Sequence, residues 1–207
     1  MPKPAQVLVS VKDEFKKIED KFATLLDYET RVKEMHKKAV KLLTGEEKRC
    51  ITDYTGSSYR PINEYLRTGT DTGYKYHADT CKAGIAKCKL EEDIVTYRGS
   101  GYKSFADMLG ADIKDIEADP QKFIRRRIEM KGFTSTSIAE KVANNFNPKI
   151  KFYCKLPKGT EALYVAPISN FGNEKEMLVN AGTEFRIMDI VKGSNGHIAQ
   201  VYMEAIV

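Results

Sequence analysis

The sequence has no apolar run long enough to cross a bilayer as a helix. Its longest stretch without a charged residue covers 12 residues, 162–173, whereas a membrane-spanning helix needs about 20. The first 15 residues contain no apolar segment followed by a cleavage site, so we expect no signal peptide in this chain. Without a long apolar run, the sequence does not have the pattern of a transmembrane protein.

Cysteine and histidine are scarce, and neither is spaced for metal binding. The four cysteines are Cys50, Cys81, Cys88 and Cys154, and the three histidines are His36, His77 and His197. The chain lacks a CxxC pair and any Cys/His spacing typical of zinc sites. We therefore expect free, buried thiols and no metal.

The chain also lacks a large excess of charge of one sign. Its 34 basic and 29 acidic residues give a net charge of +5, and they are interspersed. This balance is typical of a solvated surface and argues against nucleic acid as a partner. With 207 residues, 42% of them hydrophobic, the chain can bury the core of one globular domain without disulfides.

Apolar spacing predicts helices in the first half of the chain. Apolar residues over 15–42 recur in steps of mostly three or four, which predicts one amphipathic helix ending near Gly45. Thr44 and Glu47 form a capping-box pattern for a short helix that follows. Further helices are predicted from Pro61, over 76–89, from Asp119-Pro120 through Ile128, and over 138–146.

The second half alternates or clusters apolar residues as strands do. Strands are predicted over 94–97, 133–137, 149–156, 162–165, 177–180, 183–191 and 198–206, the last two joined by an Asn195-Gly196 turn. Helices followed by strands indicate an α+β fold. We expect a single domain over 1–207, with a helical lead-in roughly over 10–92 and a strand-rich core roughly over 93–207.

Arg98 is the first candidate functional residue. It follows a predicted strand and precedes the flexible segment Gly99-Ser100-Gly101, which matches neither the GxGxxG fingerprint nor a Walker loop. If a nucleotide binds here, an arginine must meet its phosphates, because the guanidinium forks onto phosphate oxygens. Alone, Arg98 is better explained as a surface arginine at a strand end.

Two further patches carry hydroxyls and carboxylates. In the first, Ser137 is predicted to cap the helix at Ile138, which leaves Ser135 free to act beside a carboxylate. In the second, Glu174 and Glu176 stand two apart at the entry to a strand, so both can face one side and divide acid and base roles. Alone, they are ordinary strand-edge charges.

Together and in this order, the three patches resemble the R–S–E signature of mono-ADP-ribosyltransferase toxins: YRG at 97–99, STS at 135–137 and EKE at 174–176. Residues 54–67 and 89–98 resemble the helical lead-in and the approach to the arginine in clostridial binary toxins and Rho exoenzymes. The resemblance covers roughly residue 15 to the C-terminus. It implies the ADP-ribosyltransferase fold, an N-terminal helical layer followed by two packed mixed or antiparallel β-sheets around an NAD cleft.

The resemblance implies four catalytic roles. Arg98 would hold the NAD phosphates, and Ser135 would orient the catalytic glutamate. Glu176 would bind the nicotinamide ribose and stabilise the oxocarbenium-like transition state, as a carboxylate does in glycoside cleavage. Glu174 would engage the acceptor guanidinium and help to remove its proton.

The resemblance also implies contacts to NAD and to the protein substrate. The NAD-binding residues would be Tyr54, Asn63, Arg98, Gly99, Ser135, Phe146 and Lys149. Lys149 stands where the family has arginine, which keeps the charge but loses the bidentate fork. Phe171 would help to recognise the protein substrate. No metal is implied.

Glu174 indicates the acceptor. Relatives that modify asparagine on Rho proteins carry glutamine there, whereas those that modify arginine carry glutamate. The resemblance thus implies an NAD:protein-arginine ADP-ribosyltransferase that releases nicotinamide, with side NAD glycohydrolase activity. It would be a secreted or injected toxin or effector that modifies actin or another host protein in the target-cell cytoplasm, with a translocation or delivery partner. The alternatives are a phage-encoded or head-associated transferase, and a degenerate docking module, against which the intact motifs argue.

Overall fold

The computed structural model of the chain describes residues 10–70, 73–145 and 148–207. Its α-helices are α1 Val11–Glu19, α2 Leu25–Ala39, α3 Gly45–Asp53, α4 Tyr59–Thr68, α5 Lys75–Ala86, α6 Tyr102–Leu109, α7 Ile113–Ala118 and α8 Glu140–Asn144. Its strands are β1 Ile94–Ser100, β2 Arg127–Met130, β3 Thr134–Ser137, β4 Ile150–Leu156, β5 Ala162–Tyr164, β6 Glu176–Val179, β7 Thr183–Lys192 and β8 Ile198–Ala205. Short 3-10 turns cover Val40–Leu42, Pro120–Phe123 and Gly172–Glu174, and a π-helical turn covers Tyr54–Ser58.

The strands form one mixed sheet in the order β2-β7-β8-β4-β1-β3-β6-β5. β4 and β8 run parallel, and the other neighbours in the described chain run antiparallel. Five helices precede the first strand. The predicted α+β class is therefore confirmed.

The sheet has a seam between β1 and β3. Among the described residues these strands share one register pair, Tyr97 with Ser137, whereas β1 pairs with β4 along its whole length, from Ile94 to Ser100. The seam divides the sheet into a five-stranded part ending at β1 and a three-stranded part of β3, β6 and β5. Residues of β1 and β3 next to this pair line a cavity at the end of β1.

The three-stranded part is buried on both faces. Side chains alternate along a strand, so Leu163 and Leu178 pack against the apolar core of α3, α4 and α5. Their neighbours Tyr164 and Met177 face the core that is shared with the five-stranded part and α2. Packing on both faces holds β6, which begins at Glu176, in one register.

The single helix predicted over 15–42 is wrong, because the chain breaks over 20–24 into α1 and α2. Thr24 caps α2 by accepting a hydrogen bond from the backbone N–H of Asp27 at 3.1 Å. Phe15 of α1 packs edge-on against Tyr202, with ring centroids 5.2 Å apart, whereas Val32 of α2 belongs to the main core. The two helices bury similar stripes against different surfaces, so their apolar periodicity does not reveal the break.

The helix predicted from Asp119-Pro120 through Ile128 is also wrong. One 3-10 turn follows Pro120, the backbone of Arg125 then takes a left-handed conformation (φ 68°), and β2 begins at Arg127. Ile128 pairs with Phe185 of β7. Pairing with an existing strand overrides the local helical pattern here.

Two helices, α6 and α7, were not predicted from the sequence. The signals that would have located them are local. Gly110 takes a left-handed conformation (φ 57°) at the end of α6, and the Asp112 side chain caps α7 by accepting from the N–H of Lys114 at 2.8 Å.

Two other local predictions are confirmed, the capping box of α3 and the free, buried state of the cysteines. The capping box of α3 is present, with Glu47 N–H donating to Thr44 Oγ1 at 3.1 Å and Thr44 N–H donating to Glu47 Oε2 at 2.8 Å. The four cysteines are free and buried. Within the described ranges, no helix combines the length and apolar character needed to cross a membrane.

Candidate active site

The three predicted patches meet at the seam of the sheet. Ser137 of β3 pairs with Tyr97 of β1 on one side and with Glu176 of β6 on the other, so three strands bring distant segments together. They enclose a cavity of about 160 Å³. Its lining residues are Tyr97, Arg98, Gly99, Ser135, Thr136, Ser137, Val142, Ala143, Glu174 and Glu176.

Arg98 reaches across the seam. Its Nη1 donates a hydrogen bond to the carbonyl oxygen of Ser135 at 2.9 Å. Its Nε is buried and has no hydrogen-bond partner in the part of the chain that the structure describes. Burial lowers the pKa of Arg98, since a cation is costly to remove from water. The guanidinium thus keeps one donor unsatisfied among the described residues.

Glu176 is a buried carboxylate, with 6% of its surface exposed. Burial is the main reason that its pKa is raised to about 7. A hydrogen bond with the Ser135 side chain opposes this shift, the nearby charge of Glu174 adds to it, and Arg98 opposes it. A carboxylate whose pKa is displaced by burial and specific partners inside a cleft is typical of a functional site.

Glu174 faces the same cavity as Glu176, but not because of strand alternation. β6 begins only at Glu176, and Glu174 ends a 3-10 turn. Lys175 between them has a left-handed backbone, with φ 49° and ψ 45°. A change of backbone direction at Lys175, rather than the predicted alternation, accounts for the placement of Glu174.

Ser137 supports this turn and is not the N-cap of the helix that follows. α8 begins at Glu140 with Ala139 as its N-cap, so the predicted cap is wrong. The Ser137 Oγ donates a hydrogen bond to the Glu174 carbonyl oxygen at 2.7 Å and accepts one from the N–H of Ala139 at 3.1 Å. It therefore joins β3 to the turn that carries the glutamates.

Gly99 lies in an ordered strand end rather than in a flexible loop. It pairs with Lys151 of β4, and Ser100 accepts a hydrogen bond from the N–H of Lys149 at 3.1 Å. A Cβ at position 99 would lie 2.7 Å from the Cβ of Pro148. Glycine is required here because the segment before β4 approaches the backbone closely.

Tyr54 and Asn63 form a buried network behind β3. Asn63 Nδ2 donates to the Tyr54 hydroxyl at 2.9 Å, and Asn63 Oδ1 accepts from the N–H of Phe133 at 2.9 Å. Neither lines the 160 Å³ cavity as the described residues define it. The network holds the start of β3 in place, and NAD contact by these two side chains stays a prediction.

The remaining predicted residues lie around the cleft. Phe146 lies outside the described residues. Lys149 is exposed beside the end of β1. Phe171 is 54% exposed, and its carbonyl oxygen accepts from the N–H of Glu174 at 2.9 Å. Their roles stay predictions.

A second cavity, of about 460 Å³, adjoins the first at Arg98, which lines both. Two further basic residues, Arg67 and Lys131, line its wall. Arg67 lies in the segment 54–67 that carries the resemblance, but it was not predicted as a site residue. Lys131 was not predicted either. No spacing signal could have found Lys131, because β2, β3 and α4 bring these cations together only in the folded chain.

In the described ranges, no cluster of three or more His, Cys, Asp or Glu side chains is arranged to hold a metal ion.

The chain is similar in sequence to known ADP-ribosyltransferases. Residues 30–207 match the family described as ADP-ribosyltransferase exoenzyme. EFV, an NAD(+)–arginine ADP-ribosyltransferase of Enterococcus faecalis, is 26% identical over an alignment 159 residues long that covers 70% of this chain and 29% of EFV. The chain thus spans less than a third of the length of that relative.

Solved structures show a similar fold. Plx2a, an ADP-ribosyltransferase toxin from Paenibacillus larvae, is 27% identical with a TM-score of 0.73, covering 88% of this chain and 96% of its own. BECa, an ADP-ribosylating toxin of a C. perfringens binary enterotoxin solved with NADH, is 25% identical with a TM-score of 0.69, covering 86% of this chain and 47% of BECa. The expected fold is confirmed, and the chain belongs to the ADP-ribosyltransferase exoenzyme family.

Proposed function

We propose that this protein is an NAD-dependent mono-ADP-ribosyltransferase that transfers ADP-ribose to an arginine of a target protein and releases nicotinamide. The observation that carries the proposal is the convergence of Arg98, Ser135, Glu174 and Glu176 on one cavity. The likeness to EFV, whose name specifies arginine as acceptor, supports it.

The shape and charge of the cleft suit a dinucleotide. NAD has two bulky ends joined by a diphosphate, and Arg98 stands where the two cavities meet. Its buried Nε would donate to a phosphate oxygen. Arg67 and Lys131 add positive charge along the larger cavity. The NADH in the BECa structure supports this assignment.

The chemistry rests on the carboxylate of Glu176. NAD supplies a bond between nicotinamide and ribose whose cleavage places positive charge on the sugar. An ionised Glu176 would stabilise that charge, and its burial strengthens the interaction because little water screens it. The hydrogen bond with Ser135 would hold the carboxylate in place.

Glu174 would serve the acceptor. It is less buried than Glu176 and follows the exposed ring of Phe171 by three residues, so an incoming protein could contact both. A guanidinium does not deprotonate by itself in water near pH 7, and a carboxylate beside it would orient it and take the proton as the new bond forms.

The biological setting follows from the same proposal. Residues 1–207 would form one catalytic domain whose helical lead-in precedes its strand-rich core. Water in place of the acceptor would yield NAD glycohydrolysis as a side activity. The protein would be a secreted or injected toxin or effector acting on actin or another host protein. A docking module without catalysis would not need Arg98, Ser135 and Glu176 around one cavity.

The test uses wild-type protein, labelled NAD and a target-cell lysate. We expect nicotinamide release and labelled protein, with the modified residue identified as arginine by sequencing of the labelled peptide. Label on asparagine, or NAD cleavage without labelled protein under any acceptor condition, would contradict arginine transfer. The absence of NAD cleavage would contradict the proposal as a whole.

A further inference from the structure

We propose that Glu29 of α2 and Lys175 form a positioning contact that holds Glu174 toward the acceptor. This inference rests on the proposed function. It concerns two residues that lie outside the cavity lining in the described chain and are neighbours only in the folded state, 146 positions apart in sequence.

The turn at Lys175 is held in a conformation that non-glycine residues rarely adopt. Its φ of 49° and ψ of 45° lie in the left-handed region. The Lys175 carbonyl oxygen accepts a hydrogen bond from the N–H of Ile138 at 3.1 Å, and its N–H donates to the Gly172 carbonyl oxygen at 3.2 Å. These backbone contacts define the turn, but none of them holds the lysine side chain.

The lysine side chain is held by Glu29. Lys175 Nζ forms an ion pair with the Glu29 carboxylate, and their side chains are only 27% and 13% exposed. Lys33 also pairs with Glu29, at 2.8 Å, and the Tyr164 hydroxyl donates to it at 3.3 Å. Hydrogen bonds from Lys175 and then Lys33 lower the pKa of Glu29, so it is ionised near neutral pH.

The helix that carries Glu29 is itself fixed. Val32, one turn on, is fully buried in the main core. The Tyr28 hydroxyl donates to the Val95 carbonyl oxygen of β1 at 2.6 Å. α2 is therefore a rigid anchor to which Lys175 ties the turn.

The positions of Glu174 and Glu176 depend on the Glu29–Lys175 ion pair to different extents. Glu176 is held by its register with Ser137, and the Ser135 side chain interacts favourably with its ionised carboxylate. Glu174 lies in the turn before β6, and its orientation follows the backbone angles of Lys175. Loss of the ion pair is thus expected to misplace the acceptor carboxylate while leaving the NAD-facing carboxylate in position.

The experiment compares Lys175→Met with Lys33→Met on the full chain, measuring nicotinamide release without acceptor and label transfer to protein. Lys33→Met is the matched control, because it removes the other cation on Glu29 and leaves the turn untouched. For Lys175→Met we expect transfer to fall by about tenfold or more, as for a misplaced reacting group, with nicotinamide release within about twofold of wild type. Lys33→Met should retain both activities.

Three further variants separate positioning from folding. Glu29→Gln should reproduce the selective loss from the α2 side, which keeps the test available if Lys175→Met does not fold. Lys175→Arg should restore transfer by keeping the charge. In Lys175→Gly, glycine adopts the left-handed turn without strain, but it cannot form the ion pair with Glu29. This variant should therefore lose transfer as Lys175→Met does.

The outcomes discriminate this inference from the proposed function. Wild-type transfer to arginine must be present before the variants are compared, and its absence would count against the proposed function alone. With an active wild type, full transfer by Lys175→Gly or Glu29→Gln, or an equal loss of both activities in Lys175→Met, would overturn the positioning role.

Discussion

The carboxylates of Glu174 and Glu176 stand two residues apart, yet they meet different surroundings. Glu176 is 6% exposed, and the Ser135 side chain opposes the rise of its pKa, whereas Glu174 lies at the more open end of the turn. Burial makes the charge of Glu176 effective and also costly, because the carboxylate loses its hydration. The surroundings predict separate roles that substitution can distinguish.

Glu176→Gln should remove nicotinamide release and transfer together while leaving the fold intact. The amide preserves shape and the contact with Ser135 but not the negative charge opposite the ribose. We expect turnover to fall by about two to three orders of magnitude, measured as nicotinamide release, with circular dichroism confirming the fold. Near-normal turnover by folded Glu176→Gln protein would refute its role as the catalytic carboxylate.

Glu174→Gln should abolish arginine modification while retaining much of the NAD glycohydrolase activity. Glutamine can hydrogen-bond a guanidinium but cannot take its proton, whereas water can still capture the sugar. Both activities are measured on one preparation. A parallel fall in the two would place Glu174 in NAD cleavage and remove the main support for an arginine acceptor.

Nicotinamide release should rise with pH through about 7, where Glu176 ionises. Its pKa is raised from 4.5 in the folded protein, so its contribution to the free energy of unfolding is full below about 4.5 and is lost as the pH rises through about 7.

Two variants test this assignment of the pKa to Glu176. Ser135→Ala removes a contact that lowers the pKa of Glu176, and should move the pH midpoint of activity upward. Glu174→Gln removes a charge that raises it, and should move the midpoint downward; a midpoint unmoved by both would contradict the assignment.

At the scale of elements, the close approach of β1 to the segment before β4 shapes one side of the cavity. A Cβ at Gly99 would lie 2.7 Å from Pro148, whereas a Cβ at Gly101 would have no neighbour within 4 Å. Gly99→Ala should lower the free energy of unfolding by about 1–3 kcal/mol through overpacking and weaken NAD binding by displacing that segment. Gly101→Ala is the matched control in urea unfolding and NAD titration, and equal stability of the two variants would contradict the steric argument.

At the scale of the whole molecule, the proposed function needs cations and hydrogen-bond donors from the chain itself to bind NAD. Arg98, Arg67 and Lys131 line the proposed phosphate region. We expect calorimetry to give the same NAD affinity with and without EDTA, because side chains supply the positive charge. Loss of binding on chelation would show that a metal is needed.

Sequence periodicity and local signals located most of the helices and strands, but they did not predict correctly where neighbouring elements begin and end. The capping box at Thr44 is a contact between neighbours in sequence, so its pattern was sufficient to predict it. Ile128 follows an apparent helix start at Asp119-Pro120, but its conformation is set by pairing with Phe185, a residue far along the chain. Patterns within a window of ten residues carry no information about such a partner.

For the site, the sequence by itself predicted which residues would carry the chemistry, because the order Arg98, Ser135 and Glu174-Lys175-Glu176 resembles a known signature. Tertiary structure decided how these side chains are arranged. The single pair between β1 and β3 opens the cleft, and burial sets the pKa of Glu176. The left-handed turn at Lys175, tied to Glu29 of α2, turns Glu174 toward the cavity. These features depend on contacts between segments distant in sequence, and such contacts exist only once the sheet and α2 have packed.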